Sequence, residues 1–487
     1  MTLDADAAYL VLKARDARFD GRLFVGVTST RVYCRPICRV RTPKRENCRF
    51  FETPAQAEAE AFRPCMKCRP EIAPGPGLAW SVMDASRTLA RQAADWLDEQ
   101  AATGEAPALT SLAARLGVSD RHLRRIFQAE HGVTPVQYLQ TRRLLMAKQL
   151  LTDSRMPVAQ VAMASGFGSL RRFNAAFAQS YRMSPTRLRG DVDDALDSGD
   201  AVCVTLSYRA PYDTARLMRF LAQRAVPGVE EIDGLVVRRT LRAGVVSDSA
   251  GWIQAEFVPP SARVRLRFAP ALASASARVV AAVRRWLDLD AAPHTIGDAL
   301  RALPGDEGLR LPGSLDAFEL AVRAVLGQQV TVAAARTLAR RVVERFGEPL
   351  ATPWESVTRT FPAPALLART APERIAELGI IRTRANAIIG IAAAWDELAP
   401  KIAVHQPPEP LIDALCALPG IGPWTAHYIA MRALSWPDAF PPNDVAVLKA
   451  MKQLFDCGSQ RAADDIARAW RPWRAYAVLR LWNSLET

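Results

Sequence analysis

No run of 18 apolar residues occurs in this 487-residue sequence, so no membrane-spanning helix is expected. The first twenty residues, MTLDADAAYLVLKARDARFD, are acidic and lack a continuous apolar stretch, so no secretory signal is expected either. The chain therefore reads as cytoplasmic, with no membrane partner. Cysteine is scarce, with eight in the whole chain, and a reducing compartment excludes a disulfide framework. Cys48, Cys203, Cys416 and Cys457 are scattered and are expected to be small buried apolar side chains. A hydrophobic content of 49% with 23% charged residues excludes large-scale disorder, and the length allows three or four domains. Acidic residues are short in one region. Residues 109–189 hold 3 Asp/Glu against 13 Lys/Arg, a charge of +10, and residues 1–78 hold 9 against 14, a charge of +5. Of the net +13, only +1 remains for everything beyond residue 189, so the polyanion-binding character lies in the first 190 residues.

Two cysteine-bearing runs stand out, RVYCRPICRVRT from Arg31 and FRPCMKCRP from Phe62. The spacing is Cys34-x3-Cys38, 26 residues, then Cys65-x2-Cys68. Two close pairs of soft ligands suit one tetrahedral zinc, and a closed structural site is the common use of four cysteines. The surroundings point further, because Arg31, Arg35, Arg39 and Arg41 crowd the first pair while Arg63, Lys67 and Arg69 bracket the second. Cations beside thiolates keep them ionised and would hold a phosphate close.

Two breaks divide the chain: APGPG at 73–77 and the five-aspartate stretch GDVDDALDSGD at 190–200. Between them, LTSLAARLGVSDRHLRRIFQAEHGVTPVQYL has helix-turn-helix form. Leu112, Ala113 and Leu116 make its apolar face, Gly117 permits the turn and Ser119 caps the next helix. That helix presents Arg121, His122, Arg124 and Arg125. About fifty residues on, VAQVAMASGFGSLRRFNAAFAQSYRMSPTRLR repeats the design with Arg171, Arg172 and Asn174. A solvated helix face is the ordinary reading of such arginines, but two repeats and the regional charge favour DNA. After residue 200, AVCVTLSY, GLVVRRTL and SARVRLRF read as strands around the helical DTARLMRFLAQRAV, and from about 295 short helices return.

The hairpin LPGIGPWTAHYIAMRAL from Leu418 places Gly420 and Gly422 where backbone N–H groups could approach a phosphate. About twenty residues later AFPPNDVAV puts Asp444 at a helix start, a position that N-capping alone would also explain.

GVTSTRVYCRPICRVRTPKRENCRFF...FRPCMKCRPE resembles the N-terminal domain of Ada-type methylation-response proteins. The resemblance implies one zinc ion and methyl transfer from a DNA methylphosphotriester to the first cysteine of the run, here Cys34. The paired helix-turn-helix units, with their GF-x-S...RFN-x-x-F signature, resemble the AraC-type regulators. That likeness implies DNA contact by Arg121, Arg124, Arg125, Arg171, Arg172 and Asn174, beside Arg31 and Arg35 from the cysteine region.

From about residue 203 onward the chain resembles the AlkA branch of the helix-hairpin-helix DNA glycosylases. APYDTARLMRFLAQRAVPGVE, AFELAVRAVLGQQVTVAAA and WRPWRAYAVLRLW carry that likeness beyond the hairpin. It implies a catalytic Asp444, a base pocket of Phe220, Trp424, Tyr428 and Trp482, DNA contact through Gly420 and Gly422, and an intercalating Gln329. At that last position the AlkA pattern has an apolar residue. Bifunctional members carry a lysine where Trp424 stands, and tryptophan forms no imine, so a monofunctional hydrolytic enzyme is expected. No Pro-Cys-His-Arg run occurs, so O6-methylguanine transfer is not expected.

The expected architecture is multidomain and mainly α with α+β parts. It comprises a four-cysteine zinc domain (1–78), a tandem helix-turn-helix domain (79–190), a small α+β lobe (201–290) and a helix-hairpin-helix glycosylase domain (291–487). The implied function is an adaptive response to DNA alkylation: a phosphotriester sensor, a transcription activator and an alkylpurine glycosylase acting on double-stranded DNA. RNA polymerase is the implied partner in activation. The competing reading is a transcription regulator with structural zinc, whose C-terminal half only clamps DNA.

Overall fold

The computed structural model describes residues 3–75, 85–101, 108–154, 156–189, 201–305, 307–402, 407–457 and 459–485. The aspartate-rich 190–200 stretch and the end of the 73–77 break lie outside them. The chain divides into two compact units, Met1–Ala210 with Pro260–Ala281, and Pro211–Pro259 with Ala282–Thr487. No helix among the described residues is long and apolar enough to cross a membrane.

The first unit opens with a four-stranded sheet in the order Cys48–Phe51, Phe24–Val27, Val32–Cys34, Arg63–Pro64. The first three strands pair antiparallel, while Arg63–Pro64 runs parallel to Val32–Cys34. Gly26 lies between Phe51 and Phe62, where an added Cβ would come within 3.0 Å of either ring. The sheet therefore closes over its small aromatic core only with glycine there.

Two helical pairs follow, Leu109–Arg115 with Asp120–His131 and Val158–Ala164 with Leu170–Tyr181. Gly117 (φ +69°) and Gly166 (φ +80°) make the turns in the left-handed region, and Ser119 and Ser169 cap the second helices. The 19-residue helix Pro135–Asp153 runs between the pairs. Four of its buried residues are polar, and each has a partner. Thr141 donates to Glu58 at 3.1 Å, Lys148 pairs with Glu71 at 2.5 Å, Gln149 donates to the Thr205 carbonyl at 2.7 Å, and Asp153 accepts from the Thr205 N–H at 2.9 Å. The last two satisfy backbone groups of the strand Val202–Ser207 that its antiparallel partner Arg263–Phe268 leaves unpaired. Asp153 also holds Arg69 at 2.5 Å. One scaffold helix thus fastens the cysteine region and this strand through buried bonds, where losing one ionic partner costs about 3–5 kcal/mol.

The second unit holds an antiparallel meander, Glu230–Asp233, Val236–Leu241 and Gly251–Val258, preceded by the helix Thr214–Arg224. The rest is helical. The buried helix Ala317–Leu326 runs through its core against Pro423–Ala433 and Arg382–Ala393. Arg239 bridges Glu230 at 3.4 Å and Glu319 at 2.7 Å, and Arg323 pairs with the other oxygen of Glu319 at 2.7 Å. Burial would raise the Glu319 carboxyl, but the two arginines bring it below its ordinary value.

Of the scattered cysteines, Cys48 and Cys457 are buried as expected, Cys203 is half-buried and Cys416 is exposed. Cys416 ends the helix Glu409–Cys416, whose buried positions are Leu411, Ile412 and Leu415, so the helical period turns it to solvent.

Candidate metal centre and active site

The four clustered cysteines come from three local structures. Cys34 ends the strand Val32–Cys34, Cys38 follows one turn later, and Cys65 and Cys68 span the turn after Arg63–Pro64. All four Sγ atoms lie within 4.8 Å of one another. A tetrahedral site with 2.3 Å bonds has sulfurs about 3.8 Å apart, so the donor set fits zinc. The shared hydrogen bonds among the sulfurs raise Cys34 and Cys68, lower Cys65, and lower Cys38 to about 7. The Arg35 backbone N–H lies 3.3 Å from Cys68 Sγ. Cys34, Cys38 and Cys65 are 6%, 4% and 7% exposed, with Cys68 more open.

The cations around the cluster separate into two kinds. Arg31, Arg39, Arg41 and Lys67 are exposed, and Arg31 also lies over the Phe62 ring at 5.4 Å. Arg69 is tied to Glu71 and Asp153. The structure corrects the DNA-contact expectation for Arg35. Its side chain is 4% exposed, ion-paired with Asp20, and also reaches the Cys68 carbonyl at 3.1 Å and Ser207 Oγ at 3.4 Å. A guanidinium already saturated by a buried carboxylate is a brace for the cysteine turn, not a phosphate ligand.

On the helix-turn-helix pairs, Arg121, Arg124, Arg125, Arg171, Arg172 and Asn174 are all exposed, because the buried positions are Leu123, Ile126 and Phe127 on one helix and Phe173, Phe177 and Tyr181 on the other. Arg124 makes a surface pair with Asp120 at 2.8 Å.

In the second unit Asp444 is 4% exposed and caps the helix Val445–Phe455, accepting from Val447 N–H at 2.8 Å. The capping role and a chemical role are not exclusive here. The same Oδ1 accepts from Trp482 Nε1 at 3.2 Å, and Oδ2 accepts from Trp424 Nε1 at 2.7 Å. Three N–H donors converge on the Asp444 carboxyl group. Trp424 stacks on Tyr428 with centroids 5.3 Å apart and planes 7° from parallel, and Tyr428 meets Trp482 at 6.4 Å. Phe220 joins through Arg432, whose guanidinium lies 5.0 Å from the Phe220 centroid and 5.8 Å from that of Tyr428.

Arg432 was not singled out from the sequence, although its place four residues after Tyr428 on one helix put both on the same face. It is buried, donates to the Tyr428 hydroxyl at 2.8 Å and to the Gly313 carbonyl at 3.0 Å, and also holds the Pro312 carbonyl. Burial alone would raise the Tyr428 phenol, but Arg432 and Arg224 bring it below its ordinary value. Gln328, next to the expected wedge, was also missed. Its amide donates to the Gly420 carbonyl and to Thr425 Oγ1, both at 3.1 Å, tying this turn to the hairpin. Gln329 itself is exposed with φ +54°, beside exposed Val330 and Val332. Gly420 has φ +87°, and Gly422 is exposed and caps the helix Pro423–Ala433.

Four family models match: the metal binding domain of Ada over residues 7–71, a helix-turn-helix domain over 112–191, the AlkA N-terminal domain over 203–316, and the HhH-GPD superfamily of base excision DNA repair proteins over 322–475. Over 503 residues the chain is 37% identical to a probable bifunctional transcriptional activator/DNA repair enzyme AlkA of Mycobacterium tuberculosis (strain CDC 1551 / Oshkosh), covering 99% of this chain and 97% of that protein. The chain belongs to this family of AlkA-type bifunctional activator/repair enzymes. Two further relatives match different parts of it. DNA-3-methyladenine glycosylase 2 of Escherichia coli (strain K12) is 36% identical over 281 residues, 57% of this chain and 96% of that one. The bifunctional transcriptional activator/DNA repair enzyme Ada of the same organism is 32% identical over 163 residues, 33% of this chain and 43% of that one. In this AlkA-type family member the cysteine cluster lies in the Ada match, and the Trp424–Asp444–Trp482 arrangement in and just beyond the HhH-GPD match.

Proposed function

We propose that the second unit is a monofunctional DNA glycosylase that hydrolytically excises alkylated purines such as 3-methyladenine, with Asp444 as its catalytic carboxylate. The observation that carries this reading is the clamping of both Asp444 oxygens by indole N–H groups at the foot of an aromatic stack. A purine alkylated at N3 or N7 is cationic, which favours the π-faces of Trp424 and Tyr428 and makes the base a good leaving group. As the glycosidic bond breaks, the Asp444 carboxylate stabilises the positive charge developing on the sugar and orients the attacking water. Trp424 and Trp482 hold it in place with no reorganisation at the moment of reaction. Gln329, projecting beside the hairpin, fills the space the flipped nucleotide leaves.

In the first unit, Cys34 is the proposed methyl acceptor. Zinc, when bound, would hold the four sulfurs as thiolates. Cys34 Sγ attacks the methyl carbon of a DNA methylphosphotriester, the carbon–oxygen bond breaks, and an ordinary phosphodiester anion leaves. Cys68 accepts the Arg35 backbone N–H, and Cys34 lies at the end of the strand Val32–Cys34 beside it. S-methylation removes one negative charge from a surface that faces phosphates, worth roughly 1–4 kcal/mol at about 4 Å. That change raises DNA affinity and converts repair into activation through the helix-turn-helix pairs, with RNA polymerase as the partner.

The test is release of free base from a duplex carrying 3-methyladenine, with Asp444→Asn as control, together with mass analysis of the Cys34 peptide after incubation with methylphosphotriester DNA. No release by wild type, with Asp444→Asn behaving identically, would refute the glycosylase reading, and equal release by both would refute the role of Asp444.

A further inference from the structure

The strand Arg263–Phe268 lies outside the Ada-type match, within the AlkA N-terminal match, yet it belongs to the first compact unit together with the cysteine cluster. Its alternation is strict: Val264, Leu266 and Phe268 are buried, so Arg263, Arg265 and Arg267 share the opposite face. The antiparallel register sets Arg263 opposite Ser207, and residues opposite each other across a ladder project from the same face. Ser207 Oγ lies 3.4 Å from the Arg35 guanidinium, and the Arg35 backbone N–H lies 3.3 Å from Cys68 Sγ. Three short steps therefore lead from Arg263 to the metal ligands.

The charges in this neighbourhood are unequally matched. Arg35 is neutralised by Asp20, and Arg69 by Glu71 and Asp153. Arg39, one residue beyond Cys38, and Arg263 are exposed and make no ion pair with any described residue. Partial burial, then the positive charges of Arg69 and Arg35, press Arg263 below its ordinary pKa, with Asp153 opposing and Arg39 adding to the effect. Arg39 and Arg263 are thus two exposed cations of the first unit with no carboxylate paired to them among the described residues, an arrangement suited to an anion.

We infer that Arg263 and Arg39 together dock a backbone phosphate of double-stranded DNA beside Cys34, so that the sensor's DNA-binding face is composite and includes a strand of the AlkA N-terminal domain. This rests on the reading of Cys34 as acceptor of a phosphotriester methyl group. Duplex DNA is the occupant because two helix-turn-helix pairs with exposed arginines share the unit, and a single phosphate would leave them without a role.

The experiment uses the full chain loaded with zinc. Methyl transfer to Cys34 is followed by the mass of its peptide, from a duplex with one methylphosphotriester and, separately, from methyl iodide. Arg263→Gln and Arg39→Gln are each expected to slow transfer from DNA about threefold to tenfold and to reduce the logarithmic salt slope of DNA binding by about one. Arg263→Lys restores most of the rate. Methyl iodide labelling and 3-methyladenine excision should match wild type in Arg263→Gln, and millimolar inorganic phosphate should not inhibit transfer as short duplex DNA does. If Arg263→Gln takes methyl from DNA at the wild-type rate with an unchanged salt slope, the inference falls while the sensor reading stands. If wild type is labelled by methyl iodide but takes nothing from DNA, the sensor reading falls and the inference with it.

Discussion

Trp424 Nε1 donates to Asp444 Oδ2 at 2.7 Å, across twenty residues of chain that include a whole helix and a proline-rich turn. The tryptophan, two residues after Gly422 of the hairpin, serves as a fixed donor to the carboxylate.

Asp444→Asn should abolish excision, with a fall of at least about 100-fold, as for loss of a pre-organised charge in other enzymes. The amide would also turn one N–H group toward indole or backbone N–H donors, costing about 1–3 kcal/mol of stability. Base release and thermal denaturation measure the two effects separately, and DNA affinity should persist.

Trp424→Phe keeps the ring against Tyr428 but removes the donor. A hydrogen bond to a charged group is worth about 1.5–3 kcal/mol, so single-turnover excision should fall about 10- to 100-fold. Trp482→Phe, whose bond is longer at 3.2 Å, should have the smaller effect. Equal or reversed effects in single-turnover assays would argue against the clamp.

Gly420→Ala forces an L-residue into φ +87° and brings its Cβ 3.0 Å from the Ala387 methyl group. The expected cost is roughly 1–2 kcal/mol in the hairpin, read as lower affinity for abasic DNA and a raised KM.

Glu58 supplies a pH test. Burial pushes its carboxyl up to about 8, with Tyr33, Thr141 and Lys148 opposing. A carboxyl raised in the fold stabilises it fully below the unfolded value near 4.5, and that contribution is lost as pH rises through about 8. Glu58→Gln, neutral throughout, should therefore be more stable than wild type at pH 9 by a few kcal/mol, with the gap closing toward pH 5. Thermal melts across that range decide it.

Chelation should abolish methyl transfer and loosen the cysteine turns, while 3-methyladenine release stays within about twofold, since the described residues of the second unit hold no metal-binding cluster. Circular dichroism and both activity assays on one chelated sample provide the check.

Much was readable without coordinates where the signal is local. Four cysteines at fixed spacing, a glycine turn followed by a serine cap, and a Pro-Gly-x-Gly hairpin each state a conformational need within a few residues, and those segments form as expected. Periodicity likewise anticipated the strands at 202–207, 236–241 and 263–268 and the helix between them.

The sequence alone determined which chemical groups this protein has and how the chain bends around them. Tertiary structure alone decided which charges are spent and which are available. Seven cations around the cysteines looked equivalent in one dimension, yet Arg35 is consumed by Asp20, Arg69 by Glu71 and Asp153, and Arg39 faces solvent. Trp482 reaches Asp444 across 38 residues, and Arg432 binds carbonyls about 120 residues away. An arginine or an aspartate acquires its role from the partner that packing brings to it, and partners this far apart along the chain leave no mark in spacing or composition.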